Sequence, residues 1–285
     1  MAAAAGGVGD EPRIGVAIGT VGATPQWWLE SAIRLEAAGY RAVWAWDQLQ
    51  GRGDKTVPVV EQWTILAAAA GATSRIGLGT FITNIMLREP AMLARMASTL
   101  QEASGGRLTV GLGIGGGGKA MAAFGFDFPA PEERVQRLEE AVAVLRALWT
   151  GGPITRPSEF YPLAEAHSFP VPKPAPRILA GAQSPGGVKL AARIGDGWAA
   201  EVPAFERYLD DYLEAVEANG KRRSDVSIVL SFGGEEKSGA NALDASPWIA
   251  DMPGEWQRWH EAGADEVIIT ARTATDVDAL LRART

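Results

Sequence analysis

The chain has 285 residues, 47% of them hydrophobic and 21% charged, which suits a soluble globular protein with a sizeable core and excludes a disordered one. Its net charge of -7 disfavours nucleic acid or an anionic membrane as a general partner, and the lack of cysteine excludes disulfides, thiolate metal sites and a cysteine nucleophile. Only two histidines are present, His167 and His260, so no metal centre is expected.

The first twelve residues, MAAAAGGVGDEP, carry neither a basic start nor a long apolar core. They are expected to form a mobile tail on a cytoplasmic protein, with residues 13–285 as a single domain. No apolar run reaches membrane-spanning length.

From there, short runs rich in Val and Ile alternate with longer segments of helical period, the pattern of parallel strands joined by crossover helices. Strands are expected at residues 13–19, 42–46, 75–81, 107–113, 177–183, 197–201, 226–232 and 266–270. Helix starts between them are marked by Thr24-Pro25, Glu89-Pro90 and Pro131. In the segment after Pro131, Val135, Leu138, Val142, Leu145 and Trp149 fall on one helical face. Eight strand–helix units in this length predict a TIM barrel, with an open Rossmann-type sheet as the alternative. Two segments do not fit the repeat: the Gly-rich 115–130 after strand four, and the Pro-rich 151–175, an insertion containing His167; for such long loops a lid that closes over substrate and a disordered segment are the open readings. His260, in a helix before strand eight, is expected to be structural. Trp27, Trp28, Trp63, Trp149, Trp248, Trp256 and Trp259 lie in helical segments and are expected in packing or on an oligomer face.

A TIM barrel places its active site at the carboxyl ends of its strands. Strand two ends in WAWDQLQ, bringing Asp47 and Gln48 to the mouth beside Trp44 and Trp46. Strand three ends in FITN: Phe81, Ile82, Thr83, Asn84. Strand four ends in GLGIGGGG, where Gly113, Ile114, Gly115 and Gly116 allow close approach of a flat ligand to the backbone. The match to G-x-G-x-x-G is weak as a dinucleotide fingerprint, because no helix is expected to begin at once and no acidic residue follows about 20 positions on within a βαβ unit. Strand five runs into ILAGAQSPGG, with Gly181, Ala182, Gln183, Ser184, Gly186 and Gly187. Ser184-Pro185 is a good start for a helix, and free N–H groups there suit a phosphate; an ordinary capped turn explains the same residues.

The run IGLGTFITNIMLREPAMLARMASTLQEASGGRLTVGLGIGGG, followed in order by RVQRLEEAVAVLRALW, ILAGAQSPGGVKLAARIGDGW and GADEVIIT, resembles the bacterial luciferase-like oxidoreductases over roughly residues 13–279. The resemblance implies a TIM barrel that binds FMN or the deazaflavin coenzyme F420, a cis peptide bulge at Phe81-Ile82, and a homodimer. In the coenzyme F420 branch an Asp followed by His usually ends strand two; this chain keeps the Asp as Asp47, with Gln48 in place of the His, and so resembles that branch most. Its sugar-phosphate dehydrogenases carry a histidine where this chain has Gln48, and an acid where it has Gly116. The implied activity is therefore hydride transfer between coenzyme F420 and an unsaturated or carbonyl small molecule, with Asp47 and Gln48 as the catalytic candidates and no base for alcohol oxidation. An FMN-dependent monooxygenase using reduced flavin and oxygen is the alternative, as is a flavin-binding protein without turnover.

Overall fold

The structure is a computed structural model and describes residues 11–51, 53–232 and 243–284; the expected tail at 1–12 falls almost wholly outside them. In chain order the elements are β1 (Ile14–Ile18), α1 (Pro25–Ala37), β2 (Ala42–Ala45), α2 (Gln62–Ala72), β3 (Gly77–Asn84), α3 (Pro90–Ala103), β4 (Leu108–Gly113), α4 (Gly118–Ala123) and α5 (Pro131–Leu148). Then follow β5 (Ile154–Arg156), β6 (Leu163–Ala166), β7 (Arg177–Gly181), α6 (Pro185–Ile194), β8 (Gly197–Glu201), α7 (Val202–Ala218), β9 (Ser227–Phe232), α8 (Pro247–Ala250), α9 (Met252–Glu261), β10 (Glu266–Ala271) and α10 (Ala274–Ala283). Eight of the strands close into a parallel barrel in the order β1-β2-β3-β4-β7-β8-β9-β10. These are the eight strands read from the sequence, and the fold is a TIM barrel.

Alternation along each strand divides the core in two. Val16, Val43, Ile178, Leu230 and Ile269 point outward beneath the helices, while Ala17, Trp44, Leu179, Ala199, Val229 and Ile268 fill the lumen. Trp44 dominates the lumen. A Cβ on Gly79 would lie 2.0 Å from its ring and one on Gly15 would lie 2.6 Å from its Nε1, so the neighbouring strands carry glycine where the indole lies across them. Glu266 opens β10 on the same lumen-facing alternation as Ile268, at the amino-terminal end.

The two segments outside the repeat take different places. Residues 115–130 contain α4, a short helix that the glycines hid, and lie over the ends of β3 and β4. The 151–175 insertion forms an antiparallel hairpin of β5 and β6 against the helices, not a lid. Glu140 on α5 accepts hydrogen bonds from the Ser158 hydroxyl and from the Phe160 N–H, and Arg137 lies 4.4 Å over the Phe160 ring. The segment returns past α3, where Gln101 donates to the Pro174 carbonyl at 2.8 Å. His167 is exposed beside Gly152, just beyond the carboxyl end of α5 and therefore at the base of the barrel, away from the mouth. His260 stacks on Trp256 at 5.1 Å, and Trp28, Trp63, Trp149, Trp248, Trp256 and Trp259 are all buried.

Two expectations test this core. Gly79→Ala forces a Cβ into the Trp44 ring and should lower stability by about 1–3 kcal/mol, read as a shift in the urea midpoint; an unchanged midpoint would show that Trp44 has room to move. Burial pushes the Glu266 carboxyl above its ordinary range, against the opposing charges of Arg177, Arg41 and Arg13. A raised pKa in the folded state means that stability is held below the unfolded value and lost as pH rises through the folded one. Glu266→Gln should therefore stabilise the protein at about pH 8, with the gain shrinking toward about pH 4.

Candidate active site

The geometry of the mouth is set by β3. Thr80 pairs with Val110 of β4 and Thr83 with Leu112, so three steps on β3 match two on β4. The extra residue is Ile82, and the Phe81-Ile82 peptide is cis. A regular strand would turn one of two consecutive side chains outward, yet both Phe81 and Ile82 pack on the lumen cluster. The bulge deprives Gly111 of its regular ladder partners. Thr80 fills the gap: its hydroxyl donates to the Gly111 carbonyl at 2.9 Å and accepts from the Gly111 N–H at 2.8 Å.

Ile82 explains glycines that the sequence alone assigned to a ligand. A Cβ on Gly181 would lie 2.2 Å from Ile82 Cδ1 and one on Gly113 would lie 2.4 Å from it, while Gly111 meets Ile82 Cγ2 at 2.8 Å. Gly113 and Gly181 are bare because Ile82 occupies the space, whereas a Cβ on Gly111 would first meet the Thr80 carbonyl oxygen at 2.2 Å. Gly115 has a φ of +76° and sits against the Asn84 carboxamide, at 2.1 Å for an added Cβ. Gly116 is exposed with open space above its backbone.

Thr83 and Asn84 do not face the lumen. Thr83 is fully buried on the outer side, donating to Gln62 at 2.8 Å and accepting from the Trp63 indole at 3.2 Å, while Gln62 in turn donates to the Ala45 carbonyl. Asn84 is turned under α4, with its amide 3.3 Å from Met121 Sδ and its carbonyl oxygen accepting from the Met86 N–H. Ile114 packs on the outer core, and its carbonyl, like that of Gly115, accepts from Arg134.

Asp47 is equally committed. One of its oxygens accepts from the Asn84 N–H at 2.8 Å and from Arg88 at 2.6 Å; the other accepts from Arg88 at 2.9 Å. Arg88 also reaches Glu61 at 2.6 Å. Burial alone lowers the Arg88 pKa, but the hydrogen bonds and charge of Asp47 and Glu61 outweigh it and hold the guanidinium above its ordinary value. With a 5% exposed side chain and both oxygens engaged, Asp47 is held in its ion pair with Arg88. Gln48 is half-buried and makes no hydrogen bond to a described residue.

On the opposite side, Ser184 caps α6 by accepting from the Gly187 N–H at 3.2 Å. Pro185 has no N–H and Val188 bonds to the Ser184 carbonyl, which leaves Gly186, exposed, as the open donor of that turn. Ala182 is buried outward with its carbonyl on the Trp198 indole, and Gln183 is exposed. Alternation brings further side chains to the rim that the sequence reading missed: Glu201 on β8, Ser231 on β9, and Arg272 beyond β10, whose guanidinium lies 5.4 Å over the Trp46 ring. Their signal was present as strand period, but none belongs to a recognisable motif.

A parallel eight-stranded barrel with a bulged third strand defines a TIM-barrel protein, with Phe81 and Ile82 presented together at its mouth. The luciferase-like monooxygenase family model matches residues 7–233, and the chain belongs to that family. It is 31% identical over 248 residues to an F420-dependent hydroxymycolic acid dehydrogenase of Mycobacterium tuberculosis, covering 82% of this chain and 68% of that protein. It is 30% identical over 233 residues to an F420-dependent glucose-6-phosphate dehydrogenase of Kineococcus radiotolerans, covering 78% and 67%. Among solved structures, an F420-dependent secondary alcohol dehydrogenase in complex with an F420-acetone adduct superposes with a TM-score of 0.79 at 21% identity, covering 96% of this chain and 98% of that one. A monooxygenase from Streptomyces bottropensis gives a TM-score of 0.74 at 21% identity, covering 95% and 96%; both likenesses concern the fold.

The Asp47–Arg88 pair provides a test of how the rim is held. Arg88→Met leaves a buried carboxylate unpaired and should cost about 3–5 kcal/mol in urea unfolding. Arg88→Met combined with Asp47→Asn should cost clearly less than the two single changes added together. Strict additivity would show that the two groups do not act as a pair.

Proposed function

We propose that this protein is an oxidoreductase that binds coenzyme F420 at the barrel mouth and transfers a hydride between it and a small organic molecule. The observation that carries the reading is the doubled apolar rim: Phe81 and Ile82, consecutive in sequence, both face the lumen and are both half-exposed, a platform against which a planar ring packs. Relatives that are about 30% identical and depend on the same cofactor support it.

When bound, a deazaflavin supplies the two-electron hydride chemistry, and the protein supplies position and protons. Phe81 and Ile82 back the ring. Asp47 acts as a positioning residue: through Asn84 N–H and Arg88 it holds the end of β3 in place. Gly116 and the exposed Gly186 N–H suit the tail, the latter as a phosphate donor at the start of α6. Gln48 can donate a hydrogen bond to substrate but cannot exchange a proton at neutral pH.

The same reading includes a homodimer working in the cytoplasm. No described helix is long and apolar enough to cross a membrane, and exposed Ile33 and Met92, on α1 and α3, offer apolar surface to a partner copy.

Titration of the purified protein with oxidised coenzyme F420 and with FMN, followed by fluorescence, tests the cofactor. Saturable binding of coenzyme F420 at least about tenfold tighter than FMN, or about 1.4 kcal/mol, is expected. The phosphate-free deazaflavin chromophore should bind more weakly than the whole coenzyme. FMN binding without coenzyme F420 binding would replace this reading with that of a flavin monooxygenase.

A further inference from the structure

The mouth lacks the histidine and the acid that the sequence comparison sought at positions 48 and 116, yet it does not lack a carboxylate. β8 alternates with unusual clarity. Trp198 points outward and stacks on Phe205 and Tyr212 of α7, at 6.4 and 5.1 Å. Ala199 packs in the lumen and Ala200 in the outer core. Glu201 follows, still inside the strand and paired in register with Ser231 of β9, so its side chain belongs to the lumen face, one layer above Ala199 and at the carboxyl rim.

Three features set it apart from the two acids that follow β2, Asp47 and Glu61. Asp47 is buried in its ion pair, and Glu61 is held by Arg88 and by the Thr64 N–H that it caps. Glu201 is exposed and makes no hydrogen bond or ion pair to any described residue. It also stands at the N-cap position of α7, where a carboxylate ordinarily accepts a backbone N–H, but its side chain makes no cap bond. Its oxygens are therefore uncommitted among the described residues.

We infer that Glu201 is the proton-accepting catalytic residue of this barrel, and that the reaction it serves is oxidation of an alcohol. The inference rests on the coenzyme F420 reading above. In the step, the alcohol O–H bond breaks and its proton passes to a Glu201 oxygen. The carbinol C–H bond breaks with its electron pair leaving as hydride to the oxidised deazaflavin, and the C=O bond forms. The alcohol is oxidised by two electrons and the deazaflavin reduced by two; Glu201 then releases its proton to solvent through the open rim. This reverses the direction expected from positions 48 and 116, because the base comes from a different strand.

The test separates the two readings. Wild type and Glu201→Gln are first titrated with oxidised coenzyme F420; equal affinities are expected, and a failure of wild type to bind overturns the cofactor reading itself. Carbodiimide coupling with glycinamide, read by peptide mass spectrometry, should label Glu201 in the free protein and label it several-fold less when coenzyme F420 and 2-propanol are both present. Loss of deazaflavin absorbance is then followed with 2-propanol, cyclohexanol and 1-octanol. Glu201→Gln should lower single-turnover oxidation by about 10²-fold or more, on the scale of a general base, and acetate should restore part of it in Glu201→Ala. Oxidation at the wild-type rate in Glu201→Gln, labelling of Glu201 that ignores cofactor and alcohol, or binding of coenzyme F420 with no oxidation of any of the three alcohols would each overturn the assignment.

Discussion

One extra residue in β3 organises the mouth of this barrel. Inserting Ile82 between the Thr80 and Thr83 pairings turns two neighbouring side chains into the lumen where a regular strand would turn one. The rest follows from making room for it. Gly113 on β4 and Gly181 on β7 are bare at the atoms that Ile82 fills, and Gly111 on β4 faces both Ile82 and the Thr80 carbonyl. A ligand at this mouth therefore meets a hydrocarbon surface, not exposed peptide, and that surface gives planar contact without directional demands.

A bulge of this kind leaves backbone groups without ladder partners, and a buried orphan costs about 1–3 kcal/mol. Side chains meet the backbone groups of Gly111 and Asn84 and brace the strand between them. Thr80 takes both polar groups of Gly111; Thr83 is fixed by Gln62 and Trp63; the N–H of Asn84 goes to Asp47. Because Gln62 also bonds the Ala45 carbonyl and Asp47 follows β2, the clamp ties β3 to β2 on one side while Thr80 ties it to β4 on the other. The ion pair with Arg88 then neutralises the one buried charge in this assembly. The platform is held from behind, so Phe81 and Ile82 stay half-exposed on its front face.

The barrel was legible because its strands are buried on both faces and read as continuous apolar runs, and because Pro at the first helical turn marks α1, α3, α5 and α6. Arg107, conspicuous in the Ser-Gly-Gly-Arg run, has an equally plain task, donating to the carbonyls of Ala70, Thr73, Ile76 and Ser104 at the base of the barrel. Site assignments fared unevenly for a physical reason. A bulge shifts the period by one, so Thr83, which alternation from Phe81 would place inside, lies outside. A glycine in a sequence says that a Cβ is missing but not which atom takes its place: the ligand reading of Gly113 and Gly181 and the Ile82 reading are indistinguishable without coordinates. Ser184 is the converse case, where the modest capped-turn reading is the observed geometry. The hairpin in 151–175 was hidden by its proline content and by strands of three and four residues.

Glu201 escaped notice for another reason, which concerns how a barrel distributes chemistry. All eight strands end around one shared volume, so a proton-transfer group can enter from any of them. A comparison by position asks whether β2 or the β4 loop carries the expected side chain, and here Gln48 and Gly116 answer that they do not. The geometry asks a different thing, namely which strand ends with a titratable side chain on its lumen face and with no other partner. Asp47 fails because its oxygens are consumed in holding β3. Arg272 lies over Trp46 and carries the opposite charge. Glu201 satisfies both conditions among the described residues, through the alternation of Trp198, Ala199 and Ala200 beneath it, so Gln48 and Gly116 leave a carboxylate at the mouth on another strand.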